Sequence, residues 1–100
     1  MYRKMDINEG LARWRKVPLA HLVDVRDPDE YRRHRVPGSR NCPLYEVLEK
    51  GDSFIADKDS SIYIFSGTGR RSKMAAEYLS ALGFRVIDLG GLIHYRGPFR

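Results

Sequence analysis

The chain has 100 residues, a formal net charge of +5, and 42% hydrophobic against 31% charged residues. That length fits one domain, residues 1–100, around one modest core, and the composition is that of an ordinary globular protein rather than a disordered or fibrous one. No apolar run approaches the ~20 residues that span a bilayer, Met1–Asp6 lacks the apolar core of a secretory signal, and the single Cys42 excludes an intramolecular disulfide; a cytoplasmic location without membrane contact is expected.

In chain order, Ile7, Leu11 and Trp14 recur at helical spacing between Asp6 and Lys16, with Asp6 placed as the N-cap of a short amphipathic helix. Leu19 to Val25 is mostly apolar, and Leu22-Val23-Asp24-Val25 reads as a buried strand of a parallel sheet. Asp27-Pro28-Asp29-Glu30 supplies an acidic cap, proline at the first helical position and glutamate at the third. The helix it starts must stop by Arg35, because Pro37-Gly38 forces a turn. Asn41 to Leu44 is a short extended piece leading to a small helix over Tyr45–Glu49, closed by Gly51.

After a polar connection, Ile62-Tyr63-Ile64-Phe65 reads as a buried strand. Met74, Ala75, Tyr78, Leu79 and Leu82 then form one helical stripe ending at Gly83, and Val86–Leu89 is a last short strand before Gly90-Gly91. Strands alternate with helices, which predicts an open α/β sheet with helices on both faces. Between the Ile62–Phe65 strand and the following helix lies Ser66-Gly67-Thr68-Gly69-Arg70-Arg71-Ser72. A strand, a glycine turn and a helix N-terminus together make an anion cradle, because backbone N–H groups converge where the helix dipole is positive.

Asp24-Val25-Arg26, Glu30-Tyr31, Val36-Pro37-Gly38-Ser39, Asn41 and Pro43 resemble the signature of the rhodanese family in order and spacing. The six-residue loop Ser66–Arg71, the helix after it, Gly83-Phe84 and Leu89-Gly90-Gly91-Leu92 resemble that family's active-loop half. The resemblance covers nearly the whole chain. It implies one rhodanese-like sheet of about five mainly parallel strands and a sulfurtransferase ancestry, in which a loop cysteine carries sulfur as a persulfide. On the same resemblance, Ser66 stands in the place of that cysteine. A hydroxyl neither ionises at neutral pH nor forms a persulfide, so the implied reading is a catalytically inactive binding or regulatory module. The alternative is an active thiosulfate or persulfide sulfurtransferase whose cysteine at position 66 has been replaced by serine.

The candidate site residues are therefore Ser66 at the nucleophile position, with Gly67, Thr68, Gly69, Arg70, Arg71 and Ser72 as the anion-binding loop. Arg71 either ties the loop together or grips an oxyanion with its planar fork. Arg70 points outward and steers anions or partners. Serine hydrolase chemistry lacks a base and a Gly-x-Ser-x-Gly elbow. Dinucleotide binding lacks the third glycine, because Ser72 stands there, and nucleic-acid binding rests on charge alone. The histidines His21, His34 and His94 have no metal-ligand spacing, so neither a metal nor a cofactor is expected. The expected partner is a small oxyanion such as thiosulfate, sulfate or phosphate, together with an acidic protein. Cys42, between Asn41 and Pro43, reads as a buried structural thiol.

Overall fold

Residues 2–53 and 57–100 are described by the computed structural model. Its elements are β1 (Arg3–Lys4), α1 (Ile7–Trp14), β2 (His21–Asp24), α2 (Pro28–Arg33), β3 (Arg40–Asn41), α3 (Leu44–Lys50), β4 (Ser61–Ser66), α4 (Arg70–Ala81) and β5 (Arg85–Gly91), with short 3-10 turns at Gly51–Ser53 and Leu92–His94. The five strands form one sheet in the order β1-β5-β4-β2-β3, and every pairing is parallel. The fold is the open α/β sheet that the alternation of elements predicts.

β4 lies at the centre, and its apolar run is unbroken because both faces are covered. Ile62 and Ile64 pack with Val47 of α3 and with Ala75, Ala76 and Leu79 of α4. Tyr63 and Phe65 face the other way, onto Ile7 and Leu11 of α1 and Leu89 of β5. The period-2 alternation of strand side chains thus divides one apolar segment between two cores.

Several boundaries differ from the sequence reading. The strand read over Leu22–Val25 runs from His21 to Asp24, and the apolar stretch before it is not strand at Leu19, which is 85% exposed with a positive φ of 65°, a turn conformation. α4 begins at Arg70 rather than Ser72, since Gly69 at φ 100° already turns the chain into the helix. β1 went unpredicted: a two-residue exposed Arg-Lys strand carries no apolar alternation, and only its pairing with Ile87 and Asp88 defines it.

At the end of β2, Asp24 and Arg26 are 0% and 3% exposed and pair with each other at 2.8 Å. Arg26 Nε also donates to both Asp24 oxygens, its Nη2 donates to the His34 carbonyl, and Asn41 Nδ2 donates to the Asp24 and Arg26 carbonyls. The two charges satisfy each other inside the framework, so neither is available to a ligand.

Cys42 is buried beside β2, its N–H donating to the Asp24 carbonyl. Burial pushes its thiol up to about 11, so little thiolate exists at neutral pH. Native protein is therefore expected to react slowly with a thiol-labelling reagent at pH 7.5 and quickly in denaturant, followed by mass spectrometry. Equal rates in both conditions would show that Cys42 is an accessible, reactive centre.

Candidate active-site loop

The carboxyl ends of parallel strands are where an open α/β sheet gathers ligands, and β4 delivers Ser66 there. Ser66 is fully buried. Its Oγ accepts the N–H of Gly69 and the N–H of Ser72, both at 3.1 Å. Two amides from the loop and the first turn of α4 thus converge on one side-chain atom at a helix N-terminus, where the peptide dipoles favour negative charge. The N–H groups of Gly67, Thr68, Arg70 and Arg71 find no protein acceptor among the described residues.

β5 closes the loop from one side. Ser72 Oγ donates to the Gly69 carbonyl at 3.1 Å and the Gly90 carbonyl at 3.3 Å, and the Ile93 N–H donates to the Gly67 carbonyl. Gly91 permits this contact: a Cβ there would lie 2.5 Å from the Thr68 carbonyl carbon and 2.6 Å from the Gly67 oxygen. Any side chain at position 91 would push the loop away from the sheet. The sequence shows Gly90-Gly91 as the end of a strand and as part of the active-loop resemblance, but not the spatial neighbour that demands glycine at position 91.

The Arg71 guanidinium lies against Gly67, where a Cβ would come within 3.3 Å of Nη2, and reaches on to α2. Its Nη1 and Nη2 donate to Glu30 Oε1 and Oε2 at 2.6 and 3.1 Å, a two-pronged pair joining α4 to α2. Glu30 also accepts the Asp27 N–H at 2.9 Å, as the cap reading of Asp27–Glu30 expected. The tie to Arg71 was not foreseen. Of the two roles weighed for Arg71, the bracing contact is the one formed here, though to a carboxylate and not to loop carbonyls. Arg70 and Thr68 are exposed.

Thr68, Gly69 and Arg70 form one wall of a cleft of about 570 Å³ that runs along α4 to the ends of β1 and β5. Lys4, Lys73 and the buried Asp88 also line it. Lys4 entered through β1, so the sequence reading missed it. Among the described residues, no group of histidine, cysteine, aspartate and glutamate side chains is arranged to hold a metal ion, and no helix is long and apolar enough to cross a membrane.

Residues 8–93 match the rhodanese-like domain family. The chain belongs to that family. The thiosulfate sulfurtransferase PspE of Escherichia coli (strain K12) is 38% identical over 73 residues, which cover 72% of this chain and 70% of PspE. The putative sulfur carrier protein YrkF of Bacillus subtilis (strain 168) is 32% identical over 85 residues, covering 85% of this chain but only 40% of YrkF. Among solved structures, a rhodanese with anions from E. coli has a TM-score of 0.72 at 35% identity, over 81% of this chain and 96% of that one. A rhodanese-related protein from Thermoplasma volcanium reaches 0.82 at 28% identity, over 99% and 98%.

The Arg71 pair holds Glu30 at a pKa of about 2, below its ordinary 4.5. A carboxyl lowered on folding contributes stability that is complete above about pH 4.5 and is lost as the pH falls toward 2. Both side chains are about a third exposed, so solvent screening leaves roughly 1 kcal/mol of that contribution. Urea denaturation of Arg71→Met should accordingly show a loss of about 1 kcal/mol at pH 7 that shrinks toward zero by pH 2. A loss independent of pH would mean that Arg71 acts through packing alone.

Proposed function

We propose that Ser66 occupies the position at which sulfurtransferases of this family carry their nucleophilic cysteine, and that the chain with serine is an inactive, anion-binding module. The observation that carries this reading is the setting of Ser66 Oγ: two amides donate to it at a helix N-terminus, yet among the described residues no histidine or carboxylate bonds it as a base. Such a setting stabilises a thiolate but does not activate a hydroxyl. The unpaired loop amides supply the oxyanion site, with thiosulfate, sulfate and phosphate as ligands of matching charge. The E. coli rhodanese with anions is a relative whose structure holds anions. Arg70 and the overall positive charge steer anions to the loop.

A second reading has its own support. The Asp24–Arg26 framework, the six-residue loop and the Arg71–Glu30 brace are all assembled, and PspE is named a thiosulfate sulfurtransferase. On that reading the chain is a working sulfurtransferase in which only the thiol at position 66 is missing. In that reaction the cysteine thiolate would take the outer sulfur of thiosulfate, releasing sulfite, and the persulfide would pass that sulfur to an acceptor thiol or to cyanide.

The protein with Ser66 should produce no thiocyanate from thiosulfate and cyanide above a buffer control. Ser66→Cys should gain the mass of one sulfur on incubation with thiosulfate and lose it again to cyanide. Turnover by the serine form would overturn the binding-module reading. A folded Ser66→Cys variant that never gains sulfur would show that the loop is not a sulfurtransferase site.

A further inference from the structure

The cleft beside the loop is too large and too mixed in charge for an inorganic anion alone. Thiosulfate has five heavy atoms and fills on the order of 70 Å³, little more than two waters at ~30 Å³ each, whereas the cleft is about 570 Å³. Lys4 of β1 and Arg70 and Lys73 of α4 line it and make no ion pair among the described residues. Opposing them is a carboxylate. Asp88 is 4% exposed; its Oδ1 accepts the Gly90 N–H at 2.9 Å, and its Oδ2 has no hydrogen-bond partner among the described residues. Asp6, the cleft's other acid, already caps α1 by accepting from Asn8 and Glu9.

A carboxylate with an oxygen left over favours a donor there and disfavours an anionic group placed against it, while the three cations around it favour anionic groups elsewhere in the cleft. The occupant that satisfies both signs carries an ammonium group as well as anionic ends. The parallel register places Lys4 directly opposite Asp88, so the contacts for the two signs lie on neighbouring strands. From these observations we infer that the cleft binds a free α-amino acid bearing an S-sulfonate, a small organic thiosulfate. Its sulfonate meets the unpaired amides of Thr68 and Arg70, its ammonium meets Asp88, and its carboxylate meets the Lys4, Arg70 and Lys73 side chains. This inference rests on the anion-binding reading of the loop and names its ligand.

Calorimetric titration of the serine protein in low salt tests both, with S-sulfocysteine, the same molecule without its amino group, the same molecule without its carboxylate, and thiosulfate. S-sulfocysteine is expected to bind at least tenfold more tightly than thiosulfate, and removal of either charged group should cost about five- to tenfold, the scale of one ordinary net hydrogen bond. Asp88→Asn, which keeps an acceptor for the Gly90 amide, should bring the affinities of the amino and des-amino ligands to within about twofold of each other. Lys73→Ala, at an exposed position with no fold to lose, should narrow the gap between ligands with and without the carboxylate. Thiosulfate bound as tightly as S-sulfocysteine overturns the inference and leaves the anion-binding loop standing. Binding of none of the four overturns both.

Discussion

The loop depends on where one oxygen atom lies. Ser66 Oγ sits at the end of the central strand, fully buried, and takes the N–H groups of Gly69 and Ser72. A buried amide without an acceptor costs about 1–3 kcal/mol, so this atom fixes how the chain leaves β4 and how α4 begins. Everything else around the site closes on that arrangement. Ser72 carries the tie across to Gly90, Gly91 has no side chain to obstruct it, and Arg71 carries it the other way to Glu30. A six-residue loop is thereby fastened to β5 and α2 as well as to its own strand and helix.

Charge at this end of the sheet falls into two groups. Asp24 with Arg26, and Glu30 with Arg71, are consumed in holding elements together. Lys4, Arg70 and Lys73 are unpaired among the described residues and surround the cleft. The division follows from burial. A charge inside the framework must bring its own partner, whereas a cation at the rim keeps its hydration until a ligand replaces it. The positive potential of the site comes from the second group, and its rigidity comes from the first.

Much of this was legible in the sequence. The apolar run Ile62–Phe65 signalled a strand covered on both faces, Asp6 and the Asp27–Glu30 cap marked helix starts, and the glycine loop stood between strand and helix, where the structure has it. The rhodanese resemblance added the number of strands and their mainly parallel direction, whereas their order, β1-β5-β4-β2-β3, is seen only in the structure. What was not legible depends on contacts between distant residues. β1 exists only because Lys4 and Arg3 find β5, and the partner of Arg71 lies 41 residues away on a helix whose glutamate already had a local explanation. Asp88, in the sequence only a poorly placed acidic candidate for a dinucleotide site, gains a setting for its carboxylate from the Gly90 turn and the cleft.

The central claim is that the loop holds an environment for negative charge at the side-chain position of residue 66. The most direct measurement is the ionisation of a thiol placed there, read from thiolate absorbance near 240 nm as Ser66→Cys is titrated, with Cys42 as an internal reference that ionises only near 11. The account predicts a thiol that ionises well below the ordinary ~8.5, within the range of roughly 3.5–7.5 seen at helix N-termini. An ordinary or raised value in the folded variant would contradict it, because the two amides and the helix dipole would then fail to outweigh the cost of burial.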